Sequence, residues 1–315
     1  MMAKDYAASI DLDNENDPHT RLVLMTPEGS RVLDVGCSRG DMAAALKERG
    51  CRVTGVEMDP GAASVAEEIC ERVIVGDLDL LELPALLGTE KFDVVLFGDV
   101  LEHLKYPQRV LDMARQVLTD DGFIGVSVPN VAHGSIRLML LKGEFTYEDV
   151  GILDDTHLRF YTRKSICDLL EGSGYLVDSV DWIVAPITER QLRETLDPLG
   201  MGDLEEVCKS FATPEAVARQ YVIKAVPASE ADRLIRLSEE KVRAEREVEE
   251  LKSCREELKT SDVYARDLEV QIERKNAYIA QLEAALAERD RALAGKESGA
   301  PDSPGGGLLK RGRKK

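Results

Sequence analysis

The sequence predicts an α/β fold: a doubly wound, mostly parallel seven-stranded sheet followed by a long coiled-coil helix. Three observations predict it. Short β-branched runs alternate with helical segments from residue 31 to residue 226, and such alternation builds βαβ units with right-handed crossovers. The stretch Arg31–Asp41, RVLDVGCSRGD, reads as a strand, a glycine-bearing turn and the start of a helix, the arrangement that places a ligand at the carboxyl end of a parallel sheet. After Pro227, apolar residues recur at intervals of seven, the seam of a coiled coil.

The composition bounds the function. A chain of 315 residues with 43% hydrophobic content can hold one sizeable core plus an appendage. A net charge of −18 argues against a broad nucleic-acid surface, because phosphate binding requires clustered Lys and Arg. The six cysteines are scattered, with no CxxC pair, so neither a zinc site nor a disulfide framework is expected. The acidic start, MMAKDYAASIDLDNENDPHT, lacks the apolar core of a signal peptide, and no apolar run is long enough to span a membrane. The expectation is a cytoplasmic protein.

Residues 1–17 are expected to be a flexible N-terminus, with a short helix over His19–Met25 ended by Pro27-Glu28-Gly29. Val32, Leu33 and Val35 make the first strand a buried parallel one. Its helix runs from Gly40 to Arg49, and Gly50 supplies the stop. The second strand is Arg52–Glu57, and Pro60 opens a helix to about Cys70. The third strand, Arg72–Val75, ends in Gly76-Asp77. The fourth, Phe92–Phe97, is a continuous apolar run and therefore central. A helix from Tyr106-Pro107 to Leu118, a turn at Asp120-Asp121-Gly122 and a fifth strand, Phe123–Val128, follow. Residues 129–162 are read as a substrate cover with one apolar helix, Ile136–Leu141. A helix over Arg163–Glu171, a strand near Tyr175–Val184, a helical insertion over 186–217 and a last strand, Gln220–Val226, complete the domain over 18–227.

In the second region, Leu237, Ala244, Leu251, Leu258, Ala265, Ile272, Ile279, Leu286 and Leu293 form one heptad row. The position three residues later is polar in the first half and apolar at Leu268 and Leu282. A parallel coiled coil over 229–294 is expected to gather copies of the chain into a homo-oligomer, with a solvated single helix as the alternative. Residues 295–315 read as a disordered tail whose basic end, Lys310 to Lys315, could touch an anionic membrane surface weakly.

The turn itself narrows the ligand. A dinucleotide-binding turn requires GxGxxG, but Ser38 takes the second glycine's place and Asp41 the third's. Asp34-Val-Gly36-Cys-Ser38-Arg-Gly40 instead resembles the first motif of class I S-adenosylmethionine-dependent methyltransferases, acidic-x-Gly-x-Gly-x-Gly, with Ser38 departing from the middle glycine. FDVVLFGDVLEHL and LTDDGFIGVSVPN resemble later motifs of the same family, and the resemblance covers about residues 20–226. It implies a Rossmann-like methyltransferase fold and S-adenosylmethionine as cofactor. It also implies that Glu57 bonds the ribose hydroxyls and Asp77 contacts the adenine amino group. The cofactor-binding set is Asp34, Gly36, Ser38, Gly40, Glu57, Asp77 and Asp99.

Methyl transfer is an in-line displacement, so the protein's work is to align the acceptor, exclude water and take a proton from an oxygen or nitrogen nucleophile. Asp99-x-x-Glu102-His103 places three side chains on one face if a helical turn begins there. Only four histidines exist, and His157, in DDTHLRFYTR, is the second that borders the site. His103, His157 and Glu102 are the catalytic candidates, as base or substrate orienter. No metal is predicted, although Asp99, Glu102, His103 and His157 form a set that could ligate a divalent ion. This pattern resembles metal-dependent O-methyltransferases carrying Glu-x-x-Glu-His, small-RNA 2′-O-methyltransferases included. It also resembles ubiquinone-type O-methyltransferases. A structural role at a helix start is the third alternative.

The cover contributes Phe145, Tyr147, Phe160 and Tyr161 as aromatics that could stack on a ring, and Arg137 and Arg159 as candidate anion ligands. Its sequence resembles methyltransferases of bacterial polysaccharide and glycan biosynthesis. The coiled coil fits chain-terminating glycan methyltransferases in architecture alone. The expected function is O-methylation of a sugar or glycan-linked acceptor. The alternatives are a small aromatic or quinone O-methyltransferase, and a methyltransferase-like assembly module without turnover.

Overall fold

A computed structural model describes residues 10–200, 205–257 and 262–297. The chain divides into two compact units, 1–228 and 229–315.

In the first unit the elements run α1 (Pro18–Met25), β1 (Arg31–Val35), α2 (Asp41–Glu48), β2 (Arg52–Glu57), α3 (Pro60–Ala66), β3 (Arg72–Val75), α4 (Leu83–Leu87) and β4 (Phe92–Gly98). A 3₁₀ turn at Leu101–His103 leads to α5 (Pro107–Val117), β5 (Leu118–Pro129), α6 (Gly134–Leu141), α7 (Arg163–Gly172) and β6 (Tyr175–Val184). Three helices of the insertion, α8 (Glu189–Leu196), α9 (Glu205–Ser210) and α10 (Pro214–Val217), precede β7 (Ala218–Pro227). The strands form one seven-stranded sheet in the order β3-β2-β1-β4-β5-β7-β6. β1 to β5 pair in parallel, whereas β7 lies antiparallel between β5 and β6.

Both faces of the sheet are covered, as near-continuous apolar strands require. Along β1 and β4, Leu33, Val35, Val95 and Phe97 enter one core with Leu111, Ile166 and Tyr175. Their neighbours Val32, Val94 and Leu96 enter the opposite core with Leu22 and Leu46. The period of two, with every member buried, makes these strands the rigid floor on which the ligand-facing ends are set.

Local chemistry starts the helices. Asp17 accepts from the Thr20 amide ahead of Pro18, and Asp59 accepts from the Ala62 amide ahead of Pro60. Thr162 and Ser165 form a reciprocal capping box on α7.

Four expectations change. Residues 1–9 lie outside the described residues, but 10–17 are tied down: the Asn16 side chain exchanges two hydrogen bonds with the Val184 backbone, at 2.8 and 3.0 Å. Ile10 and Leu12 pack on the core. Helix α3 ends at Ala66, short of Cys70. The turn at Asp120–Gly122 is instead an irregularity inside β5, which pairs through Leu118 before its register shifts against β4. The fourth change concerns the second unit.

There two helices pair within one chain. The helix is not continuous: α11 (Glu230–Glu257) and α12 (Asp262–Glu297) fold back on each other as an antiparallel hairpin. Lys241 pairs with Glu283 at 3.0 Å, and Lys275 with Glu247, so the two helices run past each other in opposite directions. Ala244, Val248 and Leu282 are buried between them. A seam satisfied this way no longer argues for a parallel oligomer. Leu258 and the basic tail lie outside the described residues.

Leu282→Asp should therefore remove much of the hairpin's helicity, since it places a charge in that seam. Circular dichroism checks it, and cofactor affinity is expected to stay within twofold. An unchanged helix signal would mean that the seam does not hold the hairpin.

Candidate active site

The carboxyl edge of the sheet collects the predicted residues. After β1 the backbone enters the left-handed region three times, at Gly36 (φ 75°), Ser38 (φ 48°) and Gly40 (φ 89°). At Gly36 a side chain would also strike Val100, whose Cγ2 would lie 2.6 Å from the added Cβ. Glu57, at the end of β2, holds this loop: its Oε2 accepts the Ser38 amide at 2.9 Å and its Oε1 the Asp59 amide at 2.8 Å. Each oxygen keeps a second lone pair for a hydroxyl. Asp77, after β3, accepts the Asp79 amide on Oδ1 at 2.9 Å. Asp79 in turn accepts the amides of Lys105 and Tyr106, each at 3.0 Å, which fixes the loop after β3 to the one after β4. Asp34 is fully buried, and neither of its oxygens has a hydrogen-bond partner.

Asp99 follows β4 with φ 55°, an uncommon conformation for a residue with a side chain. Three other elements hold it. Its Oδ1 accepts from Ser127 of β5 at 2.8 Å and from Gln220 of β7 at 2.7 Å. Its Oδ2 lies 3.5 Å from Nε2 of His19, on α1. Burial alone would raise the Asp99 pKa, but His19, Ser127 and Gln220 together hold it below the usual carboxylate range.

Glu102, His103 and His157 converge, each offering a ligating atom within 4.8 Å of the others. The two imidazoles meet edge to face at 4.8 Å. Nδ1 of His103 lies 3.3 Å from the Thr156 carbonyl oxygen and 3.2 Å from its hydroxyl. A carbonyl only accepts, so Nδ1 carries the proton and Nε2 the lone pair. The Thr156 hydroxyl donates to Asp154 at 2.6 Å. Nδ1 of His157 likewise donates to the Ile152 carbonyl at 3.0 Å. Burial, more than His103 beside it, holds the His157 pKa below its ordinary value. Glu102 is 1% exposed with both oxygens unpartnered. Burial, then Asp99 and Asp154, pushes its pKa well above the ordinary carboxylate range. Asp99 stands outside this group, engaged with Ser127, Gln220 and His19.

Other candidates take structural places. Arg137 gives its guanidinium to the Ala132 and Ser210 carbonyls, and Arg159 to those of Leu104 and Lys105, so neither is poised for an anionic ligand. His133 caps α6 and bonds the Ala185 carbonyl at 2.7 Å. Tyr161 is buried against the Leu101 carbonyl. Phe145, Tyr147 and Phe160 do gather, with ring centroids 5.5 to 6.4 Å apart, and Phe160 lies 6.3 Å from His157. No sequence pattern links His19, Ser127 and Gln220 as one cluster, because they converge on Asp99 only across four elements. Thr156 and Asp154 stood beside His157 in the motif but carried no distinguishing spacing.

A nucleoside cofactor fits what is present. Three acids stand at the ends of neighbouring strands, Glu57 retains lone pairs for hydroxyls, the loop turns through left-handed backbone at Gly36, Ser38 and Gly40, and Asp34 offers a buried carboxyl without a partner. Fold and site together define a class I S-adenosylmethionine-dependent methyltransferase. The chain belongs to the methyltransferase-domain family, whose sequence model matches residues 9–180. It is 30% identical over 125 residues to a ubiquinone biosynthesis O-methyltransferase of Glaesserella parasuis serovar 5 (strain SH0165), covering 37% of this chain and 52% of that one. The chain thus spans about half the length of that relative. It is 25% identical over 171 residues to the enzyme of that name from Aeromonas salmonicida (strain A449), covering 51% and 70%. Among solved structures it is similar to an S-adenosylmethionine-dependent methyltransferase from Archaeoglobus fulgidus, with 20% identity, a TM-score of 0.47 and coverage of 66% and 91%. It is also similar to Burkholderia thailandensis 1,6-didemethyltoxoflavin-N1-methyltransferase with S-adenosylhomocysteine bound, with 18% identity, a TM-score of 0.44 and coverage of 70% and 82%. No helix among the described residues is long and apolar enough to cross a membrane.

Burial raises Asp34 to about 7; His19 pulls its pKa down and Glu57 pushes it up. The ordinary value is 3.8. Between these values the folded, cofactor-free protein keeps a proton that the unfolded chain has released. Asp34 therefore makes stability fall as pH rises from about 4 to about 7, by at most about 1.4 kcal/mol per pH unit. Asp34→Asn should lack that contribution and melt higher than the parent at pH 8, with the gap closing toward pH 4. A gap independent of pH in thermal melts would refute the assignment.

Proposed function

We propose that this methyltransferase acts on a hydroxyl of a small aromatic acceptor of the phenol or quinol class, with His103 taking the hydroxyl proton. The observation that carries this reading is the chain Asp154–Thr156–His103, with His157 packed on His103 and Phe160 of the Phe145–Tyr147–Phe160 group next to His157. The carbonyl and hydroxyl behind Nδ1 fix the tautomer and orient the ring so that Nε2 presents its lone pair, the base-and-orienter logic of nucleophile activation. The aromatic side chains offer faces and edges against which a planar ring can pack. His157, neutral and with its own Nε2 free, packs on His103 and restricts where that ring sits.

When bound, S-adenosylmethionine supplies a methyl group on a sulfonium, which an oxygen can displace in line. The protein's share is to align that oxygen and to remove its proton as the bond forms. A sugar hydroxyl would use the same base. Two things weigh toward the aromatic ring: the cluster of three aromatic side chains that reaches His157, which packs on the base, and relatives whose names specify ubiquinone biosynthesis.

An acceptor screen with methyl-labelled S-adenosylmethionine tests the class. Label on catechols or hydroquinones is expected; label on sugars alone would overturn the reading. With an acceptor in hand, His103→Ala should lower kcat about 10²–10⁴-fold, the usual worth of general base catalysis, while affinity for S-adenosylhomocysteine stays within twofold. The same three groups that meet at His103 could instead hold a divalent ion, which would polarise the acceptor oxygen. Activity that survives exhaustive chelation supports the base, and activity lost to chelation and restored by Mg²⁺ or Zn²⁺ supports the metal.

A further inference from the structure

Cys37 lies inside the glycine loop, between Gly36 and Ser38, and its neighbour in space is Cys70, which follows α3. Both are buried, at 4% and 8% exposed. They meet over β2 because the strand offers Gly55 beneath them: a Cβ there would lie 2.6 Å from Sγ of Cys37 and 3.5 Å from Sγ of Cys70. The Cys37 thiol hydrogen-bonds to the Cys70 sulfur.

The two thiols differ in surroundings. Cys70 lines a cavity of about 200 Å³ together with Lys47, Cys51 and Glu68. Lys47 is held there by a bond from its Nζ to the Ile69 carbonyl at 3.2 Å. The hydrogen bond from Cys37 draws the Cys70 pKa down, and Lys47 helps, against burial and Asp34. The same hydrogen bond, then burial, pushes the Cys37 pKa up. One thiol therefore ionises more readily and stands at an opening, and the other waits beside it. That is the division of labour between an attacking and a resolving cysteine. Cys51, the other thiol at the cavity, points its sulfur at the Pro27 carbonyl at 3.5 Å.

We propose that Cys37 and Cys70 form a redox-sensitive pair, and that a disulfide between them shifts the glycine loop and weakens cofactor binding. The co-reactant is a hydroperoxide. The Cys70 thiolate attacks one oxygen of hydrogen peroxide and the O–O bond breaks. The sulfur is oxidised to a sulfenic acid, and the departing hydroxide takes up the proton that Cys70 released. The Cys37 sulfur then attacks the Cys70 sulfur, the S–S bond forms, and the sulfenic hydroxyl leaves with the Cys37 proton as a second water. Two thiols are oxidised and one peroxide is reduced to two waters. A thiol reductant reverses the bond by exchange.

The loop is positioned to feel that bond. The Cys37 amide donates to the Val56 carbonyl at 3.0 Å, and its carbonyl accepts the Gly40 amide at 2.9 Å. The Cys37 sulfur also lies 3.9 Å from the Ser38 carbonyl oxygen. Gly40 already abuts α3, where a Cβ would be 3.3 Å from Cα of Ala66. A loop packed this closely cannot draw Cys37 toward Cys70 and keep every contact, and the next amide along is the one that Glu57 accepts. The bland alternative is that two small apolar thiols fill the core beneath the loop. It predicts neither selective oxidation nor an effect on the cofactor.

The inference rests on S-adenosylmethionine as cofactor and not on the acceptor. Its test treats the reduced full chain with equimolar hydrogen peroxide. Peptide mapping by mass spectrometry should show a Cys37–Cys70 cross-link ahead of oxidation at the other cysteines. Calorimetry should show affinity for S-adenosylhomocysteine lowered about tenfold to a hundredfold, the scale of a lost hydrogen bond to a charged group. Dithiothreitol should reverse both changes. Cys70→Ser and Cys70→Ala should bind S-adenosylhomocysteine as the reduced parent does and keep that affinity after peroxide. Because coupling between two sites is reciprocal, saturating S-adenosylhomocysteine should make the disulfide easier to reduce in a glutathione buffer by the same factor. A cross-link from Cys70 to Cys51, or oxidation elsewhere with this pair still reduced, would overturn the proposal. So would a Cys37–Cys70 cross-link that leaves affinity unchanged, or an equal loss of affinity to peroxide in both Cys70 variants.

Discussion

The carboxylate of Asp99 is the constraint on which the upper edge of the domain depends. It sits at the end of the central strand in a left-handed conformation that a side chain disfavours by about 1–2 kcal/mol. Ser127, Gln220 and His19 reach it from β5, β7 and α1. Those elements are far apart in sequence, so a single half-buried carboxylate registers the first helix, the central strands and the antiparallel strand against one another. The same backbone reversal turns the chain into Leu101–His103 and sets Glu102 and His103 over the sheet. A strained residue at this spot is held by its surroundings, as backbone strain at a working site must be.

A second layer of control comes from carbonyl oxygens. Glu102 contributes little through its side chain, which has no partner. Its backbone carbonyl accepts the amides of Leu158 and Arg159 at 2.9 and 3.0 Å. That pair of bonds brings residues 154–160 onto the end of β4, and with them Thr156, His157 and Phe160. Arg159 adds two more bonds, to the Leu104 and Lys105 carbonyls. The guanidinium that looked like an anion ligand is thus a clamp on the loop that carries the base. Arginine suits the task because its planar fork reaches two acceptors at once.

Much of this was legible in the sequence, and what was not has a physical reason. Asp34, Glu57 and Asp77 could be placed because each ends a strand, and strand ends follow from short apolar runs bounded by glycine. Glu102, His103 and His157 were grouped by spacing and scarcity, and the fold brings them together. His19 was legible only as one of four histidines; its partner is 80 positions away, and no local period links them. The heptad row was read as an interface between chains, whereas Ala244, Val248 and Leu282 are buried where α11 and α12 pair within one chain. Periodicity states that one face of a helix is covered, but not by what.

Ser38 shows how the departure from a glycine pattern is tolerated. A serine at φ 48° bears a steric cost that glycine would avoid. The compensation comes from Glu57, whose Oε2 accepts the Ser38 amide; a hydrogen bond to a charged acceptor contributes about 1.5–3 kcal/mol. The gain and the cost are of similar size, so the serine is affordable while the carboxylate stays in place. Glu57 also accepts the Asp59 amide, so loop and helix entry are fixed by one side chain. Any group that bonds the remaining lone pairs of Glu57 therefore meets an acceptor already oriented by the backbone, and its binding is coupled to the shape of the loop. The acid that would contact ribose and the acid that stabilises the loop are one residue.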